Sequence, residues 1–326
     1  MGNTAKTPVA LGLDLGGTKL LVGEVSASGE VLRKKRYDSA IASGAHQEEV
    51  MQSVLESVDD YIKTYDLEPG RDFLAIGMGM VGRIDPFNGL WLEIEPTRCK
   101  TVPAAKILSD RYGVPAFIDN DVRCGVSAEM AFGLGRGIKN FIYMNVGTGI
   151  GAGFVINGQK MTGAHFNGGE VGHHVANYDL EAPCPCGRNG CVEAVASGMG
   201  IDARARLLAP KYPDTRLTFP ETGRINAGDV FKLAQEGDAL CSKLTDDAVK
   251  ALAETITNLI WVSDPEIFIL GGGMVTDGYL LGRVREVLNP GSIRFLNKGI
   301  QITQLNSDLV GLIGAGATGL LGAKLV

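Results

Sequence analysis

A chain of 326 residues with 45% apolar content can bury a sizeable core and suggests about two domains. Its 31 basic and 37 acidic residues give a net charge of -6 and are mixed along the sequence, so no basic block marks a nucleic-acid or membrane surface. No apolar run approaches the roughly 20 residues of a membrane span, and Pro8 and Val9 lead to Asp14 without a cleavable signal, which makes the cytoplasm the expected compartment.

Six cysteines could pair as three disulfides, but Cys184, Cys186 and Cys191 crowd together in a long chain that shows no export signal, and metal binding explains the crowding better. Cys99, Cys124 and Cys241 stand apart; a thiol of that kind, if buried, behaves as a small hydrophobe. The 45 glycines exceed ordinary usage, and their short runs let backbone approach a ligand closely.

From Val9 the pattern reads as a strand ending at Asp14, a Gly16-Gly17 turn, a second strand from Lys19 to Val25, a Ser28-Gly29 hairpin turn and a third strand reaching Tyr37. Glu48 to Tyr65 reads as a helix, with Met51, Val54, Leu55, Val58 and Ile62 on one face and Asp59-Asp60 toward water. A strand from Leu74 to Gly77, a helix near Pro103 to Tyr112 and a strand from Ala116 to Ile118 follow, the last closed by Asp119-Asn120-Asp121. Phe141 to Asn145 is then a strand, Gly147-Thr148-Gly149 a turn, Gly151 to Ile156 a strand and Asn157-Gly158 a hairpin turn before another strand. The opening arrangement thus recurs about 130 residues later, as an internal duplication would give. Two chance Gly-rich hairpins are the alternative, but turn position, strand order and hairpin all match. Leu244 to Val262 reads as a helix feeding a strand from Ile267 to Leu270, where Gly271-Gly272-Gly273 breaks the chain. The tail from Leu309 carries Gly311, Gly314, Gly316 and Gly319 in a helix expected to pack back on the first lobe.

Asp14-Leu15-Gly16-Gly17-Thr18-Lys19 follows a strand, so its loop can present backbone N–H groups and the Thr18 hydroxyl to an anion. It is not the GxxxxGK[ST] loop, and a Gly-Gly turn alone is usually structural. Asn145 to Gly149 repeats the device, and two such loops in duplicated lobes could face each other across a cleft. Asp14 would then hold Mg²⁺ through water. Asp121 ends a strand at the expected lobe boundary, where a carboxylate could accept a hydroxyl proton during phosphoryl transfer; an Asn-Asp pair that merely caps the next helix is the competing reading. His173, Cys184, Cys186 and Cys191 make a closed Cys₃His set suited to structural Zn²⁺. His174 competes as ligand, and a redox pair or unrelated thiols are the alternatives. Glu170 and Glu193 flank this loop, acceptors suited to a neutral polyol. His46 and His165 read as surface or loop residues.

With these residues assembled, the chain resembles the ROK family (repressor, open reading frame, kinase) over nearly its whole length. The family includes bacterial glucokinases, fructokinases, allose kinases and N-acetylmannosamine kinases. The DxGGTK motif corresponds to Asp14 through Lys19, GxPGxxD to Gly79 through Asp85, and the strand-ending ND to Asn120 and Asp121. GTGIGxG corresponds to Gly147 through Gly153, GExGH to Gly169 through His173, and CxCGxxGCxE to Cys184 through Glu193. Pro265 to Gly273 resembles the adenosine-side strand end, and Gly314-Ala315 the final nucleotide contact.

The resemblance implies an actin-like (ribonuclease H-like) α/β ATPase fold of two duplicated lobes with a cleft between them. Residues 1–122 would form the N-terminal lobe, completed by a C-terminal helix at about 308–326, and 123–307 the lobe with the zinc loop. It implies ATP and Mg²⁺ held by Asp14, Gly16, Gly17, Thr18, Lys19, Gly147, Thr148, Gly149, Gly271, Gly272, Gly273 and Gly314. It also implies Asp121 as catalytic base, sugar contacts from Gly82, Asn120, Asp121, Glu170, His173 and Glu193, His173 as zinc ligand in preference to His174, and a homo-oligomer, dimer or tetramer. Family regulators carry an extra N-terminal winged helix-turn-helix, whereas the first strand here begins near Val9, so DNA binding is not expected. Three segments depart from the family: Glu95 to Lys100 replaces Pro-Asn-Leu, Val81 replaces Pro, and Val122-Arg123 stands for Ala-Asn. Arg98 and Lys100 could meet a polar group on the substrate or belong to a solvated loop. The expected activity is phosphorylation of a hexose-like sugar at its 6-position. A non-enzymatic sugar sensor on the same fold is the second reading, and an actin or heat-shock type ATPase, with no use for the Cys cluster, the third.

Overall fold

A computed structural model describes residues 7–177 and 180–326. Contacts divide the chain into two compact units, the first comprising the chain up to Gly137, Thr162–Gly168 and Gln304–Val326, the second Ile138–Met161 and Gly169–Thr303.

Unit 1 begins with β1 (Val9–Leu15), β2 (Lys19–Ser26) and β3 (Val31–Asp38), an antiparallel meander. After α1 (Gln47–Tyr65) come β4 (Ala75–Met80), a small hairpin of β5 (Arg83–Asp85) and β6 (Leu90–Glu93), α2 (Ala104–Tyr112), β7 (Ala116–Asn120) and α3 (Asp121–Ala131). The sheet order is β3-β2-β1-β4-β7, with β1, β4 and β7 parallel. Period-two alternation explains how β1 is covered on both faces. Leu11, Leu13 and Leu15 share a core cluster with Val50, Val54 and Val58 of α1 and Leu108 of α2. Ala10 and Gly12 face the C-terminal helix, Val310–Gly322, where a Cβ on Gly12 would lie 2.9 Å from the Leu312 carbonyl. Small residues in the strands therefore decide how closely this helix lies. α3 packs on the same helix, with Gly314 against the Cys124 backbone, so unit 1 runs on to Gly137 rather than stopping at 122.

Unit 2 repeats the plan. β8 (Phe141–Val146), β9 (Ile150–Ile156) and β10 (Gln159–Lys160) form the meander, the last only two residues long. Then follow α4 (Val192–Ala196), α5 (Gly198–Leu208), α6 (Ala227–Gln235), α7 (Ala239–Ser263), β11 (Ile267–Gly271), α8 (Tyr279–Val287) and β12 (Ile300–Ile302). The order β10-β9-β8-β11-β12, with β8, β11 and β12 parallel, is the order of unit 1. The expected duplicated, actin-like architecture is what the two sheets display. α7 starts earlier than its apolar stripe suggests, because the Asp238 carboxylate accepts from the Cys241 N–H at 3.0 Å and caps it.

Candidate functional site

In unit 1 the candidate groups collect at the carboxyl ends of the parallel strands. Asp14 on β1 pairs in register with Gly79 on β4, and Gly79 with Asp119 on β7. The Gly16 N–H donates to the Lys19 carbonyl at 2.9 Å, closing the turn that carries exposed Gly17 and Thr18. Space beside Asp14 exists because residue 311 is glycine: a Cβ there would lie 2.5 Å from Asp14 Oδ2. Burial, then the charge of Asp121, raises the Asp14 carboxyl to about 6 against the opposing charge of Lys19.

Asn120 is both the N-cap of α3 and a clamp. Its Oδ1 accepts from the Val122 N–H at 3.0 Å and its Nδ2 donates to the Gly82 carbonyl at 3.3 Å. Gly82 has φ 93° and the Glu93 carbonyl pressed against its Cα, a place only glycine fills without strain. Asp121, the first helical residue of α3, accepts from the Val122 N–H at 2.8 Å. Burial raises its carboxyl, while that N–H, Arg123 and Asn120 pull it down. The start of α3 is thus capped while the Asp121 carboxyl stays close to Asp14. Arg123 is buried, its Nε 2.5 Å from Asp119 Oδ1. The Arg98 guanidinium is occupied by Glu95 and the carbonyls of Ile41 and Ala45, and Lys100 pairs with Glu48 at 2.6 Å. These bonds tie the 95–100 loop to the segment from Ile41 to Glu48.

In unit 2 the Gly147-Thr148-Gly149 turn is held from behind. The Gly198 and Met199 N–H groups at the start of α5 donate to the Gly147 and Thr148 carbonyls at 2.9 and 3.1 Å. Glu193 on α4 accepts from the Ile150 N–H at 2.8 Å, and a Cβ on Gly149 would sit 2.7 Å from its Oε2. The carboxylate read in sequence as a polyol acceptor therefore already has a backbone donor on one oxygen. Gly147, Thr148 and Gly273 line a cavity of about 380 Å³ with Arg224, Asn226, Phe231 and Asp277, within the range of small-molecule sites. Those four were missed because the segment around the start of α6 and the loop after β11 come to one cavity only in the folded unit. Gly272 supplies the turn out of β11, with φ 94° and the Val146 carbonyl against its Cα, and Gly271 ends that strand against Tyr143. Gly314, which the family pattern places at the nucleotide, is buried against the Cys124 backbone of α3 in unit 1.

The Cys₃His residues converge. Antiparallel pairing of Val175 with Cys191 brings the 3₁₀ turn Val171–His173 beside the cysteine loop, and the four donor atoms lie within 4.8 Å of one another. Cys184 Sγ is 3.5 Å from His173 Nδ1, and Cys186 Sγ 3.6 Å from Cys191 Sγ. Tetrahedral Zn–S and Zn–N bonds place neighbouring donors about 3.5–3.8 Å apart, so the set fits a structural zinc ion. His174 is exposed and outside the set. Glu170 begins the same turn, its carbonyl accepting from the His173 N–H at 3.2 Å.

Paired sheets of identical order, each with a glycine turn after its first strand, define the actin-like ATPase class. Within it the chain belongs to the ROK family, which it matches over residues 10–318. It is 34% identical over 283 residues to a glucokinase of Thermotoga maritima, covering 85% of this chain and 86% of that one. It is 27% identical to a xylose repressor of Caldicellulosiruptor bescii, covering 92% of this chain and 75% of the repressor. A ROK hexokinase structure from Thermus thermophilus superposes with a TM-score of 0.72 at 27% identity, over 97% of this chain and 99% of that one. Among the described residues no helix is long and apolar enough to cross a membrane.

Proposed function

We infer that this protein is an ATP-dependent sugar kinase that phosphorylates a hexose-like substrate at its 6-hydroxyl. The observation that carries the reading is the corner at Asp121: a half-buried carboxylate at the start of α3, beside Asp14 and the Asn120–Gly82 clamp, in a chain 34% identical to a glucokinase.

Asp121 accepts the proton of the attacking hydroxyl as its oxygen bonds to the γ-phosphorus of ATP, and ADP leaves. Burial raises the Asp121 carboxyl, and the Val122 N–H and Arg123 oppose that shift toward the ionised form this step needs. Gly16 to Lys19 and Gly147 to Gly149 offer N–H and hydroxyl donors to phosphate oxygens, while the cavity beside Gly273 takes the nucleoside. Mg²⁺, with Asp14 holding its water shell, would neutralise phosphate charge. Gly82, Asn120, Glu170, His173 and Glu193 are the proposed sugar contacts. Zn²⁺ on His173, Cys184, Cys186 and Cys191 would fix the last three of these. A cytoplasmic homo-oligomer is the proposed setting.

Asp121→Asn should lower kcat about 10²- to 10⁴-fold with sugar binding retained. Near-normal turnover in the variant would remove Asp121 from this role. Similarity to the xylose repressor supports a second reading, a sugar-sensing regulator. ATP consumption across aldohexoses, ketohexoses, N-acetylated amino sugars and inositols separates the two: sugar binding with no sugar-dependent ADP release favours the regulator.

A further inference from the structure

Arg123 is 3% exposed, and the proposed reaction draws on its charge near Asp121 but not on its hydrogen bonds. Nε meets Asp119 at 2.5 Å, Nη2 donates to the Ile84 carbonyl at 3.2 Å and Nη1 to the Phe166 carbonyl at 3.2 Å. The same Asp119 oxygen accepts from the Asn120 N–H at 2.9 Å. One side chain thus ties together the end of β7, the β5 strand behind the Gly82 turn, and Thr162–Gly168.

That last segment packs in unit 1 although the residues on either side of it belong to unit 2. Phe166 sits at φ 61°, a region bulky residues avoid and which surrounding contacts must enforce. The constraints include its N–H bond to the Gly163 carbonyl at 3.4 Å, the Arg123 bond to its own carbonyl, and its ring against Phe87, with centroids 6.2 Å apart. A buried ion pair is weak evidence for stability, whereas a rigid fork satisfied on three sides is what orientation requires. The asparagine that the family pattern places here has a much shorter side chain and no such fork.

We propose that Arg123 is a positioning residue, which by clasping the Ile84 and Phe166 carbonyls while bound to Asp119 locks the Gly82 turn, the Asn120-Asp121 corner and residues 162–168 into one body and so restricts which sugars are accepted. The kinetic part rests on the sugar-kinase reading; the clasp does not. The informative variant is Asp119→Asn with Arg123→Met, because Arg123→Met alone removes the cation that offsets a buried carboxylate. Hydrogen exchange should quicken at least about tenfold at 83–86 and 162–168 and stay unchanged in β1 and β2. KM for the sugar should rise about 10- to 100-fold with KM for ATP within about twofold. Arg123→Lys keeps the charge and covers the case of a double variant that does not fold; it should retain the melting temperature yet still loosen 162–168. Wild-type exchange at both segments in either folded variant would overturn the proposal, as would an activity loss that follows melting temperature and falls equally on both KM values. A wild-type protein inert toward every sugar would sink the kinase reading and leave the exchange result to decide the clasp.

Discussion

A carboxylate accepts a proton or holds a cation's water shell only while ionised, a need that the proposed roles of both acids at the strand ends of unit 1 share. Burial raises both carboxyls: Asp121 against the opposing pull of the helix-start N–H and Arg123, and Asp14 to about 6 with the charge of Asp121 adding to burial. The sign of the consequence follows from linkage. A carboxyl that titrates near 6 when folded and near 3.8 when unfolded favours folding below pH about 4, and that contribution is lost as pH rises through about 6. Metal-free Asp14→Asn should therefore melt about 2–6 °C higher at pH 7.5 and lose the advantage at pH 4. Equal melting curves at both pH values would show that Asp14 is not strained by burial. The chemistry-bearing residue types were legible in sequence. The second hydrogen bond of each was not: Asn120 to the Gly82 carbonyl, or Glu193 to the Ile150 N–H, depends on neighbours far along the chain.

Elements meet where glycines let them. Gly77 lies directly under the Ala315 carbonyl of the C-terminal helix, while Gly17 has open space around its Cα. Gly77→Val should cost about 3 kcal/mol in urea unfolding because β4 and that helix must part. Gly17→Ala should leave stability within about 0.5 kcal/mol and instead raise KM for ATP several-fold if the turn cradles phosphate. A stable Gly77→Val protein would contradict the packing described for this face. Periodicity located α1, α2, β1 and β8 because each carries its pattern within one segment. It missed the β5-β6 hairpin and α6: the hairpin strands have three and four residues, and α6 gains its role only by lining the cavity beside Gly273.

For the whole molecule the Cys₃His set is the clearest lever. Four donors within 4.8 Å of one another join the Val171–His173 turn to the loop before α4, so removing a zinc ion held there should free that join. Chelation should lower the melting temperature and sugar affinity together, and metal analysis of the purified protein should give one zinc per chain. A metal-free protein of unchanged stability would end the zinc assignment.

Sequence alone determined what is written in contiguous residues: the glycine turns after β1 and β8, the duplication they imply, the metal-ligand spacing and the family pattern. Local backbone sterics and donor chemistry need no distant partner. Tertiary structure decided what depends on approach between remote segments. It gave Asn120 its clamp, set Gly314 of the C-terminal helix against the Cys124 backbone, drew Arg224, Asn226 and Asp277 into the cavity, and fastened Arg123 to the Phe166 carbonyl. A hydrogen bond or a close packing contact requires two groups within a few ångströms, and only the fold sets that distance.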